Sequence, residues 1–130
     1  MNLLSRYKEA LSYRRFKKSL RYAFRGVTRL FSSESNALIH LLFVVAVPIL
    51  AALLRVSLVE WCILILCIGL VLSAEAVNTA VEKLSDRVSE DFSPLIKDAK
   101  DLAAGAVLIL ASASAVVGLL IFGRALVSML

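Results

Sequence analysis

Apolar residues fall in three long runs along this chain, split by two polar connections and preceded by a segment that mixes apolar and basic positions at helical spacing. In that leading segment Phe16, Leu20, Phe24, Val27 and Phe31 recur every three or four residues, while Arg14, Lys18, Arg21, Arg25 and Arg29 fall on another face. The period predicts an amphipathic helix lying along an anionic leaflet, apolar side down. Residues 37–54 carry no Asp, Glu, Lys or Arg and contain Pro48, which a membrane helix tolerates with a kink. The connection from Arg55 to Glu60 is short, so the next helix must turn straight back. It opens at Trp61, an interfacial anchor. Its uncharged run ends at Ala74, fewer residues than the ~20 that hydrocarbon requires. The helix is therefore predicted to continue to about Val81, which takes Glu75 and Asn78 below the interface. A third run, 102–122, is rich in Ala, Gly and Ser, residues that let helix backbones approach closely.

The end of the second run reads AEAVNTAVEKLSDR, from Ala74 to Arg87. Glu75, Asn78, Glu82 and Asp86 are spaced three, four and four residues apart, so they share one narrow stripe of a helix. Ionisable groups at membrane depth are costly and by default mark a site. A second reading stays open at this point: Glu75 and Asn78 as interhelical hydrogen-bonding groups, with the other two as solvated ends.

Composition supports the membrane assignment. The chain has 130 residues, 60% hydrophobic and 19% charged, with a net charge of +5. So few charges, concentrated in blocks, cannot cover the surface of a water-soluble domain of this length. The expected fold is an all-α membrane protein: an N-terminal amphipathic surface helix over residues 1–33, then a three-span domain over 34–130 with spans near 37–54, 61–81 and 102–122. Three short helices enclose little space, so a homo-oligomer is expected to complete any site. No cleavable signal peptide is expected from the basic N-terminal segment. Cys62 and Cys67 lie five apart in an apolar run and read as small hydrophobes. His40 is assigned no role.

Lys and Arg orient the chain. Nine of the fifteen precede the first span and four lie in the connection between the second and third, against Arg55 in the first connection and Arg124 after the third span. The bias toward positive charge inside places the N-terminus and the second connection in the cytoplasm of a multi-pass inner-membrane protein. Glu34, the stripe, Lys100 and Asp101 then meet at the cytoplasmic boundary.

Carboxylates gathered with Lys and Arg at a lipid–water boundary suit a reaction between a lipid and a metal-bound anion. Mg²⁺ takes one or two carboxylates and completes its shell with water and phosphate oxygens, for which Glu34 and Glu82 are candidates. A partly buried carboxylate such as Glu75 suits a general base toward an alcohol. Lys100 and Arg15 could hold phosphate charge. There is no GxxxxGK[ST] and no GxGxxG, so nucleotide binding through a P-loop or a protein-kinase fold is not expected. The rival from another class is a non-enzymatic oligomeric scaffold or transporter accessory whose acids act as glue or a proton path.

The stretch EAVNTAVEKLSDR from Glu75 to Arg87, followed by AKDLAAGAV from Ala99 to Val107 and preceded at a fitting distance by Glu34 in FRGVTRLFSSESN, resembles the small prokaryotic integral-membrane diacylglycerol kinases, a family that includes the undecaprenol kinases. The resemblance implies a homotrimer with sites between subunits, moving the γ-phosphate of MgATP onto a lipid hydroxyl. It makes Glu75 similar to the general base, and Glu34 and Glu82 similar to the acids that coordinate Mg²⁺. Asn78, Asp86, Lys100 and Asp101 match polar site positions. Arg15 and Tyr22 fall where the family has nucleotide-contacting residues, and Asp91 is a candidate for the nucleotide's sugar or base. AAGAV and the N-terminal helix look more like the branch with the undecaprenol kinases than like enteric diacylglycerol kinases. The expected partners are a lipid alcohol, ATP and further copies of the chain, with no nucleic acid.

Overall fold

The computed structural model describes residues 13–32, 37–88 and 93–129, all of it helix and turn. Four helices follow one another: α1 (Tyr13–Ser32), α2 (Ala37–Leu53), α3 (Leu58–Val88) and α4 (Pro94–Val127). The chain is all-α among the described residues, as the periodicity predicts.

α3 and α4 form an antiparallel hairpin that dominates the molecule. Asp86 pairs with Lys100 near the polar connection, and Glu60 pairs with Arg124 at the other end. Between them Leu64 and Ile121 share one buried cluster. Residue numbers of facing positions therefore sum to about 185 along the whole length, a constant register. With 31 and 34 residues, these helices are roughly 46 and 51 Å long, against ~30 Å of hydrocarbon. Both are long and apolar enough to cross a membrane and to project beyond it. The apolar runs 61–74 and 102–122 thus sit inside longer helices, and the polar ends of both carry the predicted site residues.

α2 is apolar throughout but holds 17 residues, with Pro48 inside. Its length of roughly 25 Å falls just short of the hydrocarbon thickness. Pro48 also leaves the carbonyl of Val44 without its usual intrahelical donor.

The turn between α2 and α3 is built from two abutting caps. Arg55 N–H donates to Ala52 O at 3.2 Å and Val56 N–H to Ala51 O at 3.2 Å, with Arg55 left-handed at φ 52°. This is the Schellman arrangement, usually made with glycine at that position. Ser57 then opens α3: its N–H and hydroxyl both donate to Glu60 Oε2 at 2.8 Å, while Glu60 N–H reaches back to Ser57 Oγ at 3.4 Å. Serine followed three residues later by glutamate is a capping box. The predicted tight reversal is therefore present, and it brings α2 back antiparallel to α3. At the other connection Pro94 occupies the first turn of α4, where its missing N–H costs nothing.

Ala51, Val56, Leu64, Ile121 and Ala125 form the buried cluster, with Val47, Trp61 and Phe122 packed on it. It sits at the capped end of the hairpin. Elsewhere large apolar side chains are bare, among them Phe16 and Phe24 on α1, Leu42 on α2, Leu66 on α3 and Leu119 on α4. Water cannot be the solvent for so much contiguous apolar surface. The two long apolar helices and this bare surface make the chain a multi-pass membrane protein. α1 touches α2 and α3 and buries Leu30, while Phe16, Leu20, Phe24 and Val27 are exposed.

Candidate functional site

The stripe lies on one edge of α3, in the half of the helix nearest the second connection. Glu75 is the deepest member, its side chain 13% exposed. Across from it on α2 is His40, 7% exposed, with Nε2 3.7 Å from Glu75 Oε1. One turn further along α3, Asn78 Nδ2 donates to Glu82 Oε1 at 3.0 Å. Asn78 Oδ1 is buried and has no hydrogen-bond partner among the described residues. The hairpin register gives the physical reason. Asn78 is roughly level with Val107 and Glu82 with Ala103, so α4 offers only apolar side chains there.

The outer part of the stripe is wetter. Glu82 and Asp86 are exposed, and Lys100 Nζ donates to Asp86 Oδ1 at 2.9 Å. The hydrogen bond to Asp86, then the charge of Asp86 and, more weakly, of Glu82, hold the Lys100 ammonium above its ordinary range. Lys100 thus carries a firm positive charge at the place where the stripe leaves the apolar part of the helix.

Not every predicted residue joins this group. Asp101 pairs with Lys97 one turn back on α4. Arg15 and Tyr22 lie on exposed parts of α1, with Lys18 Nζ 5.9 Å from the Tyr22 ring centroid. Glu34 and Asp91 lie outside the described residues. The structure therefore gathers Glu75, Asn78, Glu82, Asp86 and Lys100 along one edge and adds His40, which sequence reasoning missed. The signal was available, because a tight reversal at residues 54–57 makes two antiparallel helices and brings residue 40 level with residue 75.

No group of three His, Cys, Asp or Glu poised around a metal is present among the described residues. An exposed single carboxylate such as Glu82, oriented by Asn78, nonetheless suits Mg²⁺, which keeps most of its shell for water and phosphate oxygens. A protein cage is not what this ion needs.

An all-α membrane protein with acids, an amide and a lysine strung across the edge of its apolar zone has the arrangement of a small integral-membrane lipid kinase. Residues 21–122 match the prokaryotic diacylglycerol kinase family, and the chain belongs to it. It is 43% identical to the undecaprenol kinase of Bacillus subtilis (strain 168), over 83% of this chain and 88% of that protein. It is 42% identical to the diacylglycerol kinase of Synechocystis sp. over 77% of this chain and 58% of that protein. With the diacylglycerol kinase of Helicobacter pylori (strain J99) it shares 33% identity over 78% of this chain and 79% of that protein. Membership makes the chain a lipid kinase whose general chemistry is ATP- and magnesium-dependent, and it sets aside the scaffold reading. The matched region includes Tyr22 and excludes Arg15.

Proposed function

We propose that the chain transfers the γ-phosphate of ATP to the hydroxyl of a membrane lipid at the cytoplasmic face, with the α3 stripe as its catalytic edge. The observation that carries this reading is the graded burial of one helix edge, from Glu75 nearly shielded to Glu82 and Asp86 exposed. A lipid hydroxyl arrives from the bilayer side of that edge and a nucleotide from the water side. Glu75 accepts the proton of the lipid hydroxyl as its oxygen attacks the γ-phosphorus, and the bond from that phosphorus to the bridging oxygen of ADP breaks. Glu82, with Glu34, would hold the magnesium that accompanies ATP, and that ion would supply charge neutralisation at the phosphates. Lys100 steadies the transferring phosphoryl group, with Asp86 holding its ammonium in place. Arg15, Tyr22, Asp91 and Asp101 are assigned to the nucleotide.

Undecaprenol is the favoured acceptor, because the undecaprenol kinase relative is matched over most of its length. Diacylglycerol is the second reading, favoured by the 42% identical relative. The bare apolar faces of α1, α2 and α4 suit packing into a homotrimer whose sites are completed by a neighbouring copy. α2 is assigned as the remaining span and residues 1–33 as a surface domain ahead of the three-span domain, with the N-terminus cytoplasmic in the inner membrane.

The test is turnover of labelled ATP by the full chain in vesicles containing both lipid alcohols. Glu75→Gln should lower lipid phosphorylation by about 100-fold or more, since general base catalysis typically contributes 10²–10⁴-fold. Near-wild-type turnover in that variant removes the base assignment. The ratio of the two phosphorylated lipids decides the acceptor.

A further inference from the structure

We infer that His40 is a positioning residue for Glu75, holding its carboxylate in the orientation that receives the lipid proton. The inference rests on the reading of Glu75 as the base. Three observations lead to it. His40 is one of two buried polar or charged residues among the described ones. Its Nε2 faces Glu75 Oε1 at 3.7 Å from a different helix. And α4 has no Asp, Glu, Lys or Arg between Asp101 and Arg124, so nothing charged on that helix is level with Glu75.

A glutamate near the bilayer interior has three rotatable bonds and, on α3 itself, its nearest stripe neighbour Asn78 is committed to Glu82. Without a partner its carboxylate would sample several rotamers, most of them useless for attack geometry. His40 limits that choice. Its imidazole offers an N–H toward Glu75 in the neutral form with the proton on Nε2 and equally in the protonated form. The present separation exceeds a direct hydrogen bond by roughly half an ångström and leaves no room for an intervening water. Catalytic hydrogen bonds of this kind commonly tighten only when substrate is bound. His40 also lines an apolar cavity of about 620 Å³ between α2, α3 and α4, together with Phe43, Val47, Val71 and Phe122. His40 as a whole residue is itself 6% exposed, and a low local dielectric strengthens such a contact once it closes.

The register explains why this residue and no other on α2 can do so. The cap at residues 54–57 fixes α2 against α3 such that Ala51 and Leu64 meet in the buried cluster. Facing positions on these helices sum to 115, and His40 with Glu75 satisfies the same sum. The turn before α3 therefore sets the alignment of the base near the middle of that helix.

The experiment compares His40→Ala with His40→Gln, which retains a side-chain N–H, each alone and combined with Glu75→Gln, in the full chain reconstituted into vesicles with undecaprenol or diacylglycerol. His40→Ala should lower kcat by about 100-fold, the cost of a misplaced reacting group, with the KM for ATP changed by less than about two-fold. His40→Gln should recover most of the loss. In the Glu75→Gln background neither substitution should reduce the residual rate further, because residues that act as one unit are not additive. If His40→Ala melts out, His40→Met keeps the volume without a donor and takes its place. The inference falls if the Ala or Met variant turns over like wild type, if Gln fails to recover activity, or if the effects multiply with Glu75→Gln. A fully active Glu75→Gln single variant would instead overturn the base reading itself.

Discussion

Arg124 of α4 grips Glu60 of α3 through three contacts, Nη2 to Oε1 at 2.7 Å, Nη2 to Oε2 at 2.9 Å and Nε to Oε1 at 3.1 Å. The same carboxylate completes the capping box with Ser57, so one side chain ties the start of α3 to both the α2 turn and the end of α4. The Ser57 backbone N–H, then the Ser57 hydroxyl, then Arg124 hold the Glu60 carboxyl below its ordinary value of 4.5.

Those bonds favour the ionised form in the folded state. Their stabilisation is therefore complete above the ordinary carboxylate range and is lost as the pH falls through and below 4.5. Glu60→Gln should melt at a lower temperature than wild type at neutral pH, with the gap closing as the pH falls below that value. Thermal melting in detergent across the acid range checks this, and a gap independent of pH would contradict it.

Arg55 makes the Schellman turn at a φ of 52°, where an L side chain crowds its own backbone. Arg55→Gly should relieve that crowding and stabilise the fold by roughly 0.5–1 kcal/mol. Turnover should stay at the wild-type level, since glycine adopts the same left-handed turn and so keeps the register of α2 against α3. A fall in melting temperature would show that the arginine side chain contributes more than its backbone costs.

Much of this architecture was legible in the sequence because its signals are local. The fourteen-residue run from Trp61 to Ala74 required α3 to continue past Glu75, and the helix does so. Ser57 and Glu60 have capping-box spacing, although their residues read as a short neutral loop until the hydrogen bonds are seen. The His40–Glu75 contact was harder, since it is set by two caps and a register and not by any residue near either partner. Asp101 shows the reverse case: its neighbour Lys100 reaches Asp86, while Asp101 is drawn to Lys97 by the i, i+4 geometry of its own helix. Adjacency in sequence did not mean a shared face.

The Asp86–Lys100 pair allows a structural role to be separated from a phosphate-binding one. In a double exchange, Asp86→Lys with Lys100→Asp, the ion pair between α3 and α4 can re-form with its polarity reversed. The melting temperature should stay close to wild type. Activity should fall about 100-fold or more, because the positive charge is displaced from where the phosphoryl group passes. Recovery of turnover in the exchange variant would mean that the pair only holds the hairpin together.

Asn78 provides a test of the magnesium assignment that leaves the proposed ligand in place. Its Nδ2 donates to Glu82 Oε1 and fixes the direction in which the carboxylate presents its other oxygen. Groups that orient a metal ligand typically account for 10–100-fold in metal affinity. Asn78→Ala should therefore move the midpoint of a magnesium titration of activity upward by about 10-fold, and Glu82→Gln should move it further. Both residues lie on the water side of Glu75 along the α3 edge, so the KM for the lipid should change little. The measurement is initial rate against free Mg²⁺ at fixed ATP and lipid. If Asn78→Ala lowers the maximal rate while leaving the titration midpoint unchanged, Asn78 contacts the reacting groups directly, and its unpartnered buried Oδ1 is the atom that does so.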